Sequence, residues 1–356
     1  MDSTVKISLL LMILLTSACA DLSYYLHSVE GQFSVMSKTR DIDDLLEDDS
    51  TRNELREKLK LVESIRQFAF QQLQLPESDS YTQYADVGRA YVLKNLFATA
   101  EFSTRLQHWC YPIAGCAGYR GYFDEDLLKK FKSKLELEGK DVYVANIPAY
   151  STLGWFDDPV LNTFINWPDY RLAGLIFHEL AHQRLYIDND SQFNESFAMA
   201  VQQTAVEKWL LEKGQFSRAD RYREYLINRQ LVIQLIEETR NQLSKLYKEE
   251  LNQGEKRQLK QKILSRLKQD YVQLSSSFEV ADGFKYWFQG TLNNAKLASV
   301  STYHSSVPAF RNILKNTHGD YKLFYTEVER IARLPEKKRH YCLAYWMSSV
   351  EKHGSC

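Results

Sequence analysis

The sequence predicts an α+β fold dominated by helices, with a small mixed sheet. Glycine and proline interrupt helices, and the chain contains only 14 and 7 of them among its 356 residues. Apolar residues recur at steps of three and four over long stretches, as on the buried face of a helix. Residues 109–123 are instead rich in aromatic residues and glycine, without a helical period, which is typical of short strands and turns.

Composition places the chain among ordinary globular proteins. Its residues are 44% hydrophobic, 26% charged and 13% aromatic, which argues against a disordered chain, a collagen-like fibre or a disulfide-dense miniprotein. Lysine and arginine number 45, against 46 aspartate and glutamate residues. This balance gives no indication of binding to nucleic acid through overall charge. We expect a single domain over residues 19–356.

The first 18 residues predict a targeting segment. Lys6 and the amino terminus give a positive start, and the apolar run over 7–15 has the length of a signal-peptide core but is too short to span a bilayer. Small residues precede Cys19, as in the bacterial lipoprotein signals that this segment resembles. That resemblance implies a lipidated Cys19 and a chain anchored to a membrane of the cell envelope, facing the periplasm. Cleavage after Ala18 or Ala20, without a lipid, is the alternative.

Four further cysteines suit disulfide formation outside the cytoplasm. They are Cys110, Cys116, Cys342 and Cys356. An even number of cysteines in an oxidising compartment permits full pairing, and three connectivities exist. Local pairing of Cys110 with Cys116 and of Cys342 with Cys356 is the simplest. The spacing Cys-x-x-Cys does not occur in the sequence, so a cysteine zinc site is not expected.

The N-terminal half is predicted to combine helices and strands. Residues 21–75 carry apolar residues at helical spacing, and another helix is predicted over 127–137. Strands are predicted near 91–97 and within 109–123, and the apolar run 142–145 is typical of a buried strand. These strands account for the small sheet.

Long helices are predicted in the C-terminal half. Asp169 follows a proline and is a good N-cap for a helix to about Ile187, and a polar turn separates this helix from one over about 192–212. Two apolar stripes with charged outer faces follow. They predict an antiparallel helical hairpin at about 215–278, inserted into the catalytic unit. Residues 284–350 form a mixed, aromatic-rich region.

The segment His178-Glu179-Leu180-Ala181-His182 is a His-Glu-x-x-His motif. Histidines four residues apart lie on one face of a helix, so both imidazoles can reach one ion, and Zn²⁺ binds imidazole nitrogen readily. Glu179 then lies beside the metal without binding it, where it can take a proton from an attacking water. The surrounding helix is apolar on several sides. It is therefore predicted to be buried, and buried polar groups need a partner such as a metal.

Glu195 is the candidate third ligand. His182 lies about five residues before the predicted end of its helix, or ~7 Å along the axis, and Glu195 lies about three residues into the next helix, or ~5 Å from the same turn. Helices joined by a short turn pack antiparallel, so the two side chains lie at similar depth. Glu207 is a weaker candidate because it lies farther from the turn. A structural histidine pair with a surface Glu195 is the alternative.

Three protein ligands leave one position open, which is typical of a catalytic zinc site. The expected reaction is therefore hydrolysis of a peptide or amide bond, with one zinc ion per chain. A peptide substrate can add to the exposed edge of a sheet. Residues 149–155 are the candidate edge, with Thr152, Leu153 and Gly154 as substrate-binding residues. A strand paired on both sides is the alternative.

Four blocks of the sequence point together to a family. They are Ala114-Gly115-Cys116-Ala117-Gly118-Tyr119-Arg120-Gly121-Tyr122-Phe123, Tyr150-Ser151-Thr152-Leu153-Gly154-Trp155-Phe156-Asp157-Asp158-Pro159, the zinc motif with Asn194-Glu195-Ser196-Phe197-Ala198, and Asn293-Asn294-Ala295 followed by Tyr303 and Val307-Pro308-Ala309-Phe310. The sequence resembles bacterial predicted aminopeptidases, zinc proteins that often carry lipoprotein signals. The resemblance implies a zincin-like peptidase unit with a glutamate ligand and, less directly, aminopeptidase activity.

Tyr303 is the candidate donor to the oxyanion of the reaction, because a phenol can donate a hydrogen bond without a change of charge. It lies in the last of the four blocks. A buried tyrosine with a purely structural role is the alternative.

The sequence thus predicts a membrane-anchored zinc metallopeptidase of the cell envelope. An endopeptidase or a cell-wall amidase is the nearest alternative enzyme. A protein of a different class, a scaffold or chaperone lipoprotein, would use the helical hairpin at 215–278 to bind a partner protein and would hold structural zinc or none. Zinc content and loss of hydrolysis with a chelator distinguish these hypotheses.

Overall fold

The computed structural model describes residues 24–111, 115–150, 157–304, 306–348 and 356. The predicted signal segment 1–18 and Cys19 lie outside these ranges, as do Thr152, Leu153, Gly154 and the side chain of Tyr303. In the described residues helices dominate and the strands form small sheets, so the fold is α+β as predicted.

Helices account for most of the described chain. In chain order they are α1 (24–36), α2 (Ile42–Glu47), α3 (Asn53–Gln72), α4 (Glu125–Leu137), α5 (Asp169–Arg184), α6 (Ser191–Glu212), α7 (Phe216–Leu246), α8 (Gln253–Ser275), α9 (Lys285–Gln289), α10 (Asn294–His304), α11 (Val307–Asn316), α12 (Tyr321–Ala332) and α13 (Glu336–Met347). None of the helices in the described ranges is both long and apolar enough to cross a bilayer.

The strands form three sheets rather than one. In chain order they are β1 (Thr39–Asp41), β2 (Gln83–Ala85), β3 (Leu93–Thr99), β4 (Trp109–Tyr111), β5 (Gly115–Ala117), β6 (Arg120–Tyr122), β7 (Asp141–Ile147) and β8 (Val160–Leu161). β2 pairs antiparallel with β1 and parallel with β8, β3 pairs antiparallel with β6 and β7, and β4 pairs antiparallel with β5. The prediction of helix throughout 21–75 is therefore wrong at β1, because pairing with a distant strand overrides the local pattern.

The predicted burial of residues 142–145 is only partly correct. In the β6-β3-β7 sheet the central strand is β3, whose residues are nearly all buried. β7 pairs only with β3 among the described strands, and Val142 is its one buried residue. An apolar run therefore lies at an edge of this sheet, where neighbouring elements cover it incompletely.

α5 and α6 form the centre of the main hydrophobic core. Ten of the 16 residues of α5 are buried, including the whole of the His178–His182 segment. Gly174 lets α6 approach closely, because a Cβ at this position would lie 3.2 Å from the side chains of Gln202 and Val206. The two helices therefore pack tightly one turn before the histidine motif.

The boundaries of α5 differ from the prediction at both ends. Pro168, not Asp169, occupies the N-cap position, and Asp169 forms a 2.8 Å ion pair with Lys58 instead of capping the helix. The helix ends at Arg184 rather than at about Ile187, because Leu185 has an extended backbone. His182 consequently lies only two residues before the end of its helix.

α7 and α8 pack side by side as an antiparallel pair. The Asn228 side chain in the first half of α7 donates to the carbonyl of Val280, which lies just beyond α8. Lys256 near the start of α8 donates to the carbonyl of Tyr247 at the end of α7. A second hydrophobic cluster, separate from the main core, lies between these helices and α10.

The region 284–350 is helical rather than mixed over its described residues, from α9 to α13. Its aromatic residues pack onto α6. Phe193 and Phe197 contact the rings of Phe310 and Phe324, with centroid separations of 5.0 Å for Phe193–Phe310 and 6.0 Å for Phe197–Phe324. These contacts fix α6 from the side opposite α5, and so help to position the residues discussed next.

Candidate metal centre

Two histidines lie on one face of α5, as their spacing predicts. The rings of His178 and His182 have centroids 4.9 Å apart, at an angle of 85°. Both side chains are buried. The Nδ1 atom of each ring is also buried and has no hydrogen-bond partner within the described residues. The Nε2 atoms of both rings point towards the start of α6, where a carboxylate completes the group.

The turn between α5 and α6 positions that carboxylate, which belongs to Glu195. The side chain of Asp190 caps α6 by accepting a hydrogen bond from the Phe193 N–H at 3.1 Å. The Asn194 side chain accepts from the N–H of Ile187 at 2.9 Å and donates to its carbonyl at 2.8 Å. These bonds hold the turn closed, and Glu195 follows directly in the chain.

The three donor atoms have the arrangement that a metal ion requires. Glu195 Oε2 lies 3.4 Å from His178 Nε2 and 3.8 Å from His182 Nε2. One ligand atom from each of these three residues lies within 4.8 Å of the others, and this is the one such group found in the described part of the chain. Ligand atoms of a tetrahedral zinc with bonds of about 2.0–2.1 Å are about 3.3 Å apart, so small adjustments suffice. Two imidazoles and a carboxylate therefore fit a metal ion of the zinc type.

Glu179 lies on the same helix face but outside this group of three donors. Burial raises the pKa of its carboxyl to about 7, with the charges of Glu195 and Asp158 adding to the effect and His178 opposing it. A carboxyl group with a pKa near neutrality can both accept and release a proton at physiological pH.

The protonation of two of the three donors, His182 and Glu195, suits metal binding. Burial lowers the pKa of His182 to about 4, so its imidazole is neutral and has a free lone pair. Burial also opposes the charged form of His178, but the hydrogen bond to Glu195 and the nearby carboxylates outweigh it and raise its pKa. Burial raises the pKa of Glu195, yet the hydrogen bond to His178 and the charges of both histidines lower it overall, so this carboxylate stays ionised.

Comparison with known proteins assigns the chain to a family. The family model described as "Putative aminopeptidase" matches residues 23–343. The chain belongs to this putative aminopeptidase family. No curated protein and no solved structure shows a significant match to the chain. The family supports a peptidase, and the group of His178, His182 and Glu195 lies within the matched region.

Two tyrosines that the sequence did not single out, Tyr119 and Tyr186, lie near the candidate metal centre of this family member. Burial raises the pKa of Tyr119, and the charges of Glu195 and Glu179 raise it further, so its phenol is protonated. The Tyr186 ring lies edge-on to the His182 ring, with centroids 6.1 Å apart. Tyr119 belongs to the first of the four sequence blocks that resemble the family, and this membership was the signal that could have identified it. Tyr303, the oxyanion donor predicted from the sequence, belongs to α10, but its side chain is not among those that the structure describes.

Four cysteines form two local disulfides, as the simplest predicted connectivity has it. Cys110 pairs with Cys116, and Cys342 pairs with Cys356. Cys110 and Cys116 lie opposite each other on β4 and β5. The Cys116 N–H donates to the side chain of Asn189 at 2.9 Å, and Asn189 lies in the turn between α5 and α6. The β4–β5 hairpin is thus attached to the turn that positions Glu195.

The weaker ligand candidate, Glu207, has a different partner. Its carboxylate forms a 2.6 Å ion pair with Arg223 of α7. The interaction joins α6 to α7 and leaves Glu195 as the acidic member of the candidate metal centre.

Proposed function

We propose that this protein is a zinc-dependent metallopeptidase that hydrolyses peptide bonds, and that it acts as an aminopeptidase. The observation that carries the proposal is the convergence of His178, His182 and Glu195 beside a buried Glu179 whose pKa is about 7. Membership of the putative aminopeptidase family supports the same substrate class. A bound Zn²⁺ would polarise the scissile carbonyl and lower the pKa of the attacking water.

In this proposal the protein's own groups orient the reactants and move the proton. The carboxylate of Glu179 accepts a proton from the attacking water and passes it to the nitrogen of the leaving amine. Its pKa of about 7 is suited to both steps. The protonated phenols of Tyr119 and Tyr186 are available to donate a hydrogen bond to the oxyanion. Tyr303 stays a further candidate for that role.

Digestion of a peptide library by the purified mature protein tests the proposal. We expect close to one zinc ion per chain, loss of hydrolysis after treatment with a chelator, and recovery when zinc is restored. Mass spectrometry of the products shows whether residues are removed from the amino end. Hydrolysis that is unaffected by metal removal, or a purified protein that neither holds zinc nor cleaves any peptide, would refute it.

We also propose that the mature protein is anchored in the cell envelope through a lipid on Cys19. The apolar run over 7–15 and the small residues before Cys19 support this. Mass spectrometry of the membrane fraction should detect an acylated Cys19 as the first residue. An unmodified chain that begins at Ala20 or later would contradict the proposal.

A further inference from the structure

An open cavity of about 520 Å³ lies directly beside the candidate metal centre. His182 forms part of its wall, together with Gln183, Arg184 and Tyr186 from the end of α5 and the residues after it. Ser80 and Asp157, which lie outside α5, also line it. A molecule in this cavity would therefore contact one of the candidate ligands.

One wall of the cavity belongs to the face of α5 that carries Glu179. Gln183, which lines the cavity, is one helical turn beyond Glu179 and therefore lies on the same face of α5. Its side chain donates to Ser80 Oγ at 2.8 Å, and Ser80 Oγ also accepts from the N–H of Asp158 at 3.3 Å. The charge of Asp158 in turn raises the pKa of Glu179. These contacts fix the wall next to the proposed general base.

The charged groups around the cavity leave one carboxylate without a counter-ion. Arg184 forms a 2.6 Å ion pair with Glu329. Arg66, behind the wall, donates to the carbonyls of Ser78 and Ser80, and the charges of Asp79, Glu63 and Asp43 act on it. The exposed carboxylate of Asp157 forms no hydrogen bond or ion pair with any residue in the described ranges. The cavity is therefore suited to a cationic group.

We propose that this cavity binds the α-ammonium group of a peptide substrate, with Asp157 as the counter-ion. The inference rests on the proposed aminopeptidase function and adds the group that recognises the amino end of the substrate. A sphere of this volume is about 10 Å across, and an extended residue spans about 3.3–3.6 Å. Asp157 and His182 both line this cavity, so the peptide between the counter-ion and the metal centre would hold at most about three residues, which are the residues released from the amino end.

Binding and turnover of paired peptides test this assignment. Tetra-alanine and N-acetyl-tetra-alanine differ only in the terminal charge. In a zinc-loaded Glu179→Gln background, which arrests turnover, calorimetry should show that the free peptide binds about tenfold or more tightly than the acetylated one. Asp157→Asn should remove that difference without a change in zinc content. In the active protein the same substitution should raise KM for tetra-alanine by about tenfold and change kcat little.

Asp188→Asn is the matched control. Asp188 is also exposed and lies near Tyr186, but it lines a neighbouring cavity, so the substitution makes the same change of charge outside the proposed site. We expect its affinity for tetra-alanine to remain within about twofold of the parent value. An equal loss in both variants would show that general electrostatics, not a binding site, is responsible, and would overturn the proposal.

Two further results separate the possible failures. If the protein cleaves peptides but does not discriminate against acetylation, the ammonium site is wrong while the peptidase function stands. If it cleaves no peptide yet binds tetra-alanine in an Asp157-dependent way, the peptidase function is wrong and the site stands. An acetylated peptide with an internal lysine that binds as tightly as the free peptide, and loses that affinity in Asp157→Asn, would assign the site to a side-chain ammonium and overturn the proposal.

Discussion

Replacement of Arg339 by methionine removes one partner of a buried ion pair that supports the start of α6. The Arg339 guanidinium donates to Asp190 Oδ2 at 2.7 Å and to the carbonyls of Leu334 and Ala332 at 2.9 and 3.2 Å. Arg339 and Asp190 are only 7% and 6% exposed. Methionine fills much of the same volume, so the main change is an uncompensated carboxylate beside the cap of α6.

The expected loss of stability follows from that uncompensated charge. Removing one member of a buried ion pair costs about 3–5 kcal/mol. A chain of 356 residues has an unfolding entropy of about 0.7 kcal/mol/K near its melting temperature. The melting temperature of Arg339→Met should therefore fall by about 4–7 °C.

Thermal unfolding of a double-mutant cycle measures this effect. Asp190→Asn preserves a good N-cap residue and removes the charge. The variant with both substitutions should lose less stability than the sum of the two single variants, because neither charge is then left alone. Single variants that melt within about 1 °C of the parent, or losses that are strictly additive, would refute the assignment of this pair as a coupled support of α6.

Three further substitutions test other parts of the structure. Asn194→Ala leaves the backbone of Ile187 without its two side-chain bonds, and should lower the affinity for zinc by about tenfold in chelator competition, because the turn before Glu195 loosens. Tyr119→Phe should retain zinc but lower kcat roughly a hundredfold if its phenol donates to the oxyanion; unchanged kcat would exclude that role. Lys260→Met removes the partner of Asp141 in a largely buried 2.7 Å pair between α8 and β7, and should destabilise the protein by about 3 kcal/mol in denaturant unfolding.

The candidate metal centre could be predicted from the sequence because its geometry is mostly local. The spacing of His178 and His182 fixes their common helix face, and a short turn limits where Glu195 can lie. α5 ends three residues earlier than predicted, yet the side chains of His182 and Glu195 still lie at similar depth along their helices, close enough to share an ion. The long apolar stripes likewise indicated α7 and α8, since a helical period repeated over many turns is a strong local signal.

Features that depend on distant parts of the chain could not be predicted in the same way. The local sequence predicts Asp169 as an N-cap, but its carboxylate instead binds Lys58, which lies 111 residues earlier in the chain. Tyr119 lies near the candidate metal centre because its part of the chain is attached to the α5–α6 turn, where the Cys116 N–H donates to Asn189. The pKa of Glu179 also depends on the charges of Asp158 and Glu195, and the pattern of its own helix does not show where those charges lie.

The most direct test of the central claim compares two neighbouring acids, Glu179 and Glu195. Glu179→Gln retains size and hydrogen bonding but removes the proposed base, so zinc content should remain close to that of the parent while turnover of a peptide falls by about a hundredfold or more. Glu195→Ala removes a proposed ligand, so zinc should be lost and stability should fall with it. Metal analysis and turnover of both purified variants decide the matter. Full zinc in Glu195→Ala together with zinc loss in Glu179→Gln would reverse the two roles, and normal hydrolysis by both variants would contradict the metallopeptidase assignment.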